Sequence, residues 1–261
     1  MRFERMSGLD PAQLDELEEL ISQLLKNPWD KGIGRPRELT LREAVVVTCG
    51  YARHNIVEDV WADIFDVDQS TISRVITDIT PLIEAATAEF RPHADEAKER
   101  IKGIIALVDG TLWPCWSWSG HGKLWAQKYA TTGHGGLIVS DRNGNVVYVS
   151  EPVPGHEHDM RKLNESEVKE ILAEAGDVIG DKGFQGSGYI TPIKKPQGGE
   201  LLLREEDYNN QISSLRAPIE RAVANIKTWR ILHTDYRRPL RTFLDSFRAA
   251  IGLYFFKLSF S

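Results

Sequence analysis

Ile104-Ile-Ala-Leu-Val-Asp-Gly110 is the stretch on which the reading of this chain turns. Before it, apolar residues recur at three- and four-residue spacing. Within it they run continuously, as in a buried strand, and stop at an aspartate followed by glycine. Asp177-Val-Ile-Gly-Asp-Lys-Gly183 repeats the pattern on a shorter scale. Between the two, Gly135 to Val139 and Asn145 to Val149 read as strands joined across Ser140-Asp-Arg-Asn-Gly144, where Asn143-Gly144 is a hairpin signal. Glu165 to Ala175 reads as a helix and Tyr189 to Ile193 as a further strand. From about Ser214 to Trp229, and again from Phe243 to Phe256, the pattern is helical. Strands first, then strands alternating with helices, predict a mixed α/β sheet over residues 101–261.

Residues 1–100 follow a helical period instead. Pro11 to Leu25 places Leu14, Leu17, Leu20, Ile21, Leu24 and Leu25 on one stripe. Asn27-Pro28 ends it, because the residue before proline is pushed out of the α region. A basic linker, Lys31-Gly-Ile-Gly-Arg-Pro-Arg37, leads to Thr40, which caps a helix through Leu41 to His54 with Glu43 completing a capping box. Val57, Val60, Trp61, Ile64 and Phe65 then form one apolar stripe and Ile72, Val75, Ile76 and Ile79 another, separated by Asp66-Val67-Asp68. Two short helices about a tight turn have helix-turn-helix spacing. The second would present Gln69, Ser70, Ser73 and Arg74 outward near its N-terminus, where groove-reading side chains sit. A helical hairpin that only packs has the same pattern, and this turn contains no glycine.

At 261 residues, 41% hydrophobic and 27% charged, the chain has ample material for a core and is not wholly disordered. Its two cysteines, Cys49 and Cys115, are too few for a disulfide framework or a cysteine zinc site. Met1-Arg-Phe-Glu-Arg-Met6 has no apolar run behind it, and no stretch approaches the roughly 18 apolar residues of a membrane span. Neither a signal peptide nor a membrane partner is expected, and the predicted location is cytoplasmic. The net charge of −6 conceals an asymmetry: Lys182 to Ser261 holds 13 Lys and Arg against 7 Asp and Glu, a net of +6, leaving −12 on Met1 to Asp181. A basic C-terminal part hints at a polyanion partner, although charge runs are also ordinary solvated faces.

Asp109 and Asp181 each stand where an apolar strand gives way to glycine. Ligands and metals gather at strand ends in α/β sheets, and glycine lets the backbone turn and free the carboxylate. One such aspartate is usually a turn residue; two in one domain make a candidate pair. In the late helix, Arg216, Glu220 and Lys227 stand at i, i+4 and i+11, on one face. Pro218 fits the first turn if Ser213 or Ser214 is the cap. A glutamate between two cations is commonly a surface ladder. Beside two strand-end aspartates it would complete a metal site, with Arg216 and Lys227 holding phosphates.

Together these residues resemble the DDE transposases of bacterial insertion sequences. The three acids are matched by Asp109 in Val-Asp-Gly-Thr, Asp181 in Gly-Asp-Lys-Gly-Phe, and Glu220 in Ile-Glu-Arg-Ala-Val-Ala-Asn-Ile-Lys. Arg216, Glu220 and Lys227 fit a Tyr-x2-Arg-x3-Glu-x6-Lys signature whose tyrosine position holds Ser213 here. Gly155-His-Glu-His-Asp159 is similar to the family's Gly-x-x-His-Asp element, which gives His158 and Asp159 a supporting role. Gly34-Arg-Pro-Arg37 through Gln69-Ser-Thr-Ile-Ser-Arg74 is similar to the helix-turn-helix region that precedes this nuclease.

The resemblance implies an α/β, ribonuclease-H-like mixed sheet flanked by helices, residues 101–261, preceded by an all-helical helix-turn-helix domain, residues 1–100. It implies that Asp109, Asp181 and Glu220 are the catalytic acids and hold Mg²⁺ or Mn²⁺, two ions roughly 3.5–4 Å apart. Water would nick the element's end, and the freed 3′-hydroxyl would attack target DNA. Gln69, Ser73 and Arg74 would contact DNA from the helical part, Arg216 and Lys227 from the catalytic part. The implied partners are double-stranded DNA, as terminal inverted repeats and target, and a second copy of the chain in the DNA complex. A transposase-derived DNA-binding regulator with a silent nuclease is the alternative of a different class.

Other features bear weaker readings. His156, His158 and Asp159 approach a His-x-His-x-Asp-His zinc run, but the spacing is out by one and the last histidine is missing. Trp113, Trp116, Trp118 and Trp125 crowd together either as packing or as a surface for base stacking. Arg35-Pro36-Arg37 is a basic linker or a minor-groove arm.

Overall fold

The structure, a computed structural model, describes residues 4–29, 36–117 and 120–260. In chain order the helices are α1 (Pro11–Leu24), α2 (Leu41–His54), α3 (Glu58–Phe65), α4 (Gln69–Ala86), α5 (Ala94–Ile101), α6 (Asp159–Asn164), α7 (Val168–Ala173), α8 (Leu203–Ile226) and α9 (Phe243–Leu258). The strands are β1 (Ile105–Pro114), β2 (Trp125–Ala126), β3 (Thr131–Asp141), β4 (Val146–Val149), β5 (Val153–Pro154) and β6 (Asp177–Ile179). Two compact units result: the described residues up to Arg91 together with those from Lys227 onward, and Pro92–Ile226.

The division differs from a single cut near residue 100. Phe243, Phe247, Ala250, Leu253 and Phe256 are all buried in α9, which packs on α4 rather than on the sheet. A helix this apolar has to be covered, and both faces of the sheet are already taken by other helices.

In the first unit, local chemistry sets the helix starts. The Thr40 hydroxyl accepts from the Glu43 amide at 3.2 Å while the Glu43 carboxylate accepts from the Thr40 amide at 2.9 Å, closing the expected capping box. Asp10 and Gln13 close a second one on α1. The turn between α3 and α4 works without glycine because Asp66 adopts the left-handed conformation at φ 53°, which a short polar side chain tolerates. Ile72, Val75, Ile76 and Ile79 are buried as their spacing requires. The helix runs beyond the stripe that ends at Ile79, to Ala86, and carries Pro81 inside it. Its later residues Ile83 and Ala86 are buried too, and that packing outweighs the hydrogen bond that proline removes.

In the second unit the described residues form a mixed sheet in the order β2-β3-β1-β6, with β4 and β5 also paired to β3. β1 runs antiparallel to β3 and parallel to β6. The expected hairpin joins β3 to β4: the Asp141 carboxylate accepts from the Asn143 amide at 2.8 Å and the Asn145 amide at 2.9 Å. Ala106, Val108, Leu137, Val139 and Val178 face a core completed by residues of α5, α6 and α7. On the other face, Leu107 and Ile179 meet Ile212 and Ile219 of α8. Alternation along β1 therefore sends odd-numbered residues toward α8 and even-numbered ones toward α6.

Four expectations need correction here. β1 does not stop at Asp109 but continues through Gly110 to Pro114, because β3 pairs with it along that whole length. Tyr189 to Ile193 forms no strand; Ile190 makes one parallel bridge to Ile179, and the nearby glycines and proline favour an irregular path. The helix expected over Glu165 to Ala175 is α7 alone, preceded by the separate α6. α8 begins at Leu203 rather than Ser214, so Pro218 lies inside it, and it ends at Ile226, before Lys227. Cys49 and Cys115 are buried and form no disulfide. Among the described residues no helix is long and apolar enough to cross a membrane.

Candidate active site

Strand register brings the two aspartates together. Leu107 of β1 pairs with Ile179 of β6; carried two residues further, the parallel register sets Asp181 beside Asp109, just where β6 has ended. With that neighbour strand gone, the Gly110 carbonyl accepts a hydrogen bond from the Tyr129 hydroxyl at 3.0 Å. Asp109 shares the face of Leu107 and points to α8, where the Arg216 guanidinium donates to it at 3.0 Å. Burial pushes the Asp109 carboxyl up to about 6; Arg216 opposes that rise and the nearby Asp181 adds to it. Asp181 leaves β6 and caps a short 3-10 turn, accepting from the Gly183 amide at 2.7 Å.

A third aspartate joins from the opposite face. Asp159, the first residue of α6, is 6% exposed, as is appropriate only for a carboxylate with partners. Lys162, one helical turn on and 5% exposed, donates to one of its oxygens at 2.9 Å. Lys128 donates to the other at 2.9 Å, and also to Asp181 at 3.1 Å. Burial works against the charge of Asp159, but Lys162 and Lys128 hold its carboxyl below the usual range. The same competition favours charge on Lys128, whose ammonium is held above its ordinary value by Asp159 and Asp181 against the cost of burial.

Glycines make room for this carboxylate. A Cβ on Gly110 would strike the Asp159 side chain, and one on Gly183 would come within 2.7 Å of an Asp159 oxygen and 2.8 Å of an Asp181 oxygen. The glycine after Asp109 is thus required by close approach rather than by a turn.

Glu220 stands apart from the aspartates. Its side chain is 57% exposed, and it reaches Asp109 only through Arg216, whose second nitrogen lies 3.4 Å from the Glu220 carboxylate. Among the described residues no three His, Cys, Asp or Glu side chains are gathered closely enough to hold a metal ion. Lys227 falls one residue beyond α8 and counts with the first unit.

Beside the cluster lies a cavity of about 270 Å³ lined by Trp125, Lys128, Tyr129, His156, His158 and Asp159. His158 precedes α6, and the backbone carbonyl of Lys123 lies 2.8 Å from the His156 ring nitrogen. Of the clustered tryptophans, Trp113 is wholly buried, Trp116 and Trp125 are each half exposed, and Trp118 lies outside the described residues.

In the first unit, Gln69 and Arg74 are exposed on the opening turns of α4 and Ser73 is half-buried. The Gln69 amide donates to Glu58 of α3, and Arg74 folds back to the Ser70 carbonyl at 3.0 Å. Arg238 ties the two helices together, pairing with Glu58 and donating to the Thr77 hydroxyl at 2.7 Å. Arg35 lies outside the described residues; Arg37 pairs with Asp78 at 3.1 Å and lies over the Trp29 ring.

Lys128 and Lys162 are residues of this site that the sequence reading did not name. Lys128 sits in Gln127-Lys-Tyr-Ala130, a segment without motif or periodicity, and only the fold carries it to the acids. Lys162 had a faint signal, three residues after Asp159 on a helix.

A family model described as DDE superfamily endonuclease matches residues 108–254. A putative transposase for insertion sequence element IS112 of Streptomyces albus G is 28% identical, the match covering 87% of this chain and 83% of that protein. A probable transposase for insertion sequence element IS702 of Microchaete diplosiphon is 25% identical over 99% of this chain and 95% of its own length. No solved structure matches the chain.

Proposed function

Since this chain belongs to the DDE superfamily of endonucleases, we propose that it is a transposase that binds the terminal inverted repeats of its element, cuts DNA there and joins the freed end to a target. The observation that carries this reading is that Asp109, two residues past the last paired residue of β1 on β6, and Asp181, two residues past the end of β6, lie near enough for Asp181 to raise the largely buried Asp109 carboxyl further. A buried carboxylate repelled by a second one is a group prepared for a cation or a proton. The sheet order and the packing of α8 across one face support a ribonuclease-H-like reading of the second unit.

In the proposed reaction, water attacks the phosphate at the element's end, a new P–O bond forms and the 3′-oxygen leaves with a proton. That 3′-hydroxyl then attacks a target phosphate in the same way. Arg216 orients Asp109 and, with Lys227, faces DNA phosphates. Gln69, Ser73 and Arg74 on α4 would contact the repeat as a helix-turn-helix does, and two copies of the chain would hold two ends. His158 and Asp159 support the site, Asp159 by accepting from Lys162 and by anchoring Lys128 next to Asp181.

Carboxylate oxygens are the hard donors that Mg²⁺ or Mn²⁺ take, and Asp109, Asp181 and Glu220 are the proposed holders. As they stand, the acids do not fit a metal, because Lys128 and Arg216 lie between them and Glu220 turns outward. No step is assigned to an ion on that arrangement.

Cleavage of a linear DNA carrying the element's end, with Mg²⁺ or Mn²⁺, tests the proposal. Wild type is expected to cut at the repeat, and Asp181→Asn to bind the same DNA and leave it intact. Binding without cutting by wild type under either ion would overturn the nuclease reading and leave a DNA-binding regulator.

A further inference from the structure

Glu58, the first residue of α3, is where two side chains of the first unit meet. One oxygen of its carboxylate accepts from the Gln69 carboxamide, and the other pairs with the Arg238 guanidinium. The ion pair is mostly covered, Glu58 being 15% exposed and Arg238 11%, so the loss of either partner would strand a charge. Arg238 is held in turn by α4: it donates to the Thr77 hydroxyl at 2.7 Å and lies 3.4 Å from the Ser73 carbonyl. The chain leading to it is tied down as well. The Asn55 carboxamide donates to the Thr234 hydroxyl at 2.7 Å and to the Asp235 carbonyl at 3.1 Å.

Gln69 itself is exposed at the start of α4. Its carboxamide carries two N–H donors and one carbonyl acceptor. Glu58 takes one donor and, having only lone pairs to offer, repels the carbonyl from that side. One N–H and the carbonyl oxygen are left for an outside ligand, the pair that N7 and the N6 amino group of adenine take in the major groove. Asp66 and Asp68, exposed just before α4, disfavour a phosphate at this edge, so a neutral side chain among them suits a base. Arg238 cancels the charge of Glu58, which would otherwise add to theirs.

We propose that Arg238 and Glu58 are positioning residues that hold the Gln69 carboxamide for one adenine of the recognised DNA. This rests on the reading that α4 contacts DNA as a helix-turn-helix does, and names what that contact selects.

Selection of binding sites from a pool of random duplexes by the full chain tests it, with wild type beside Gln69→Ala, Glu58→Ala, Arg238→Met and Arg238→Lys. Wild type is expected to enrich a site in which one position prefers adenine about tenfold. Gln69→Ala should lose that preference. Glu58→Ala and Arg238→Met should flatten the same position and leave the others. Arg238→Lys, which keeps the charge opposite Glu58, should recover part of it. A purely architectural role would weaken binding to every sequence alike and leave the ratio at this position unchanged. Circular dichroism checks that each variant is folded, and Glu58→Ala cuts the relay from its other end if Arg238→Met is not.

A preference lost in Gln69→Ala but kept in folded Glu58→Ala and Arg238→Met would overturn the positioning role alone. A profile unchanged in Gln69→Ala would overturn the base contact; if Ser73→Ala and Arg74→Ala leave it unchanged too, the helix-turn-helix reading fails with it. Another base at the position Gln69 controls would overturn the adenine assignment. No enrichment by wild type would overturn the inference together with binding to the repeats.

Discussion

On one face of β1, Asp159 is sealed against Lys162, with glycines on both β1 and the turn after β6 clearing its place. On the other, Asp109 is mostly buried against Arg216, whose second nitrogen leads out to a largely exposed Glu220. Asp159 finds its cation within its own helix and Asp109 finds one on the neighbouring α8, and only the first pair is closed. The closed pair is a fixed part of the fold that keeps Lys128 in reach of Asp181. The open one leaves Asp109 partly exposed beside Arg216 and ends in a largely exposed carboxylate. Rigidity on one side of the strand lets the other side remain adjustable.

The largest effect is expected from breaking the closed side. Lys162→Met would leave Asp159 buried with only Lys128, and should destabilise the protein by about 3 kcal/mol, the lower end for a broken buried pair because one partner remains. Urea denaturation at neutral pH measures this, and a loss under about 1 kcal/mol would mean that the pair is not closed.

The open side should reveal itself in pH dependence. The Asp109 carboxyl is at about 6 in the folded protein and near 3.8 when unfolded, so between these values the folded state binds more protons. Stability from this group is therefore lost as pH rises from about 4 to about 6, and the ionised form costs up to about 3 kcal/mol above that. Asp109→Asn should gain stability relative to wild type across this window and little below it. His134 acts in the opposite sense. Burial pushes its ring down to about 4, so the unfolded chain binds the extra proton and stability falls as pH drops from 6.5. The two slopes partly cancel in wild type. Denaturation of Asp109→Asn and His134→Gln from pH 4 to 8 separates them, and parallel curves for wild type and Asp109→Asn would break the contrast between the faces.

The smallest effect belongs to Glu220. Its contact with Arg216 is exposed, and Glu220→Gln should change stability by less than about 1 kcal/mol. Loss of DNA cleavage with the fold intact would place Glu220 in the chemistry rather than the architecture. Full cleavage by Glu220→Gln would remove it from the proposed acids.

Much of this was legible along the chain because the information was local. The capping box at Thr40 and Glu43 involves neighbours three residues apart, and the buried face of α4 follows from a helical period. The four-residue spacing of Arg216 and Glu220 likewise places them on one face of any helix containing them. Local signals also misled. Pro218 looked like a helix start because proline is welcome there, but the burial of Ile212 against the sheet extends α8 far upstream of it. Asp109-Gly110 looked like a strand end because the following residues are less uniformly apolar, while β3 holds β1 straight to Pro114.

The sequence by itself determined the helical stripes of α1 to α4, the hairpin between β3 and β4, and the shared face of Arg216 and Glu220, since each rests on spacing that short-range geometry enforces. Only the tertiary structure decided which charges meet. Parallel register joined Asp109 to Asp181, strand alternation put Asp159 on the opposite face, and the chain leading into β3 delivered Lys128 to both. Charge pairing acts through space over a few ångströms, and residues 31 and 53 positions apart become neighbours only after the sheet has formed.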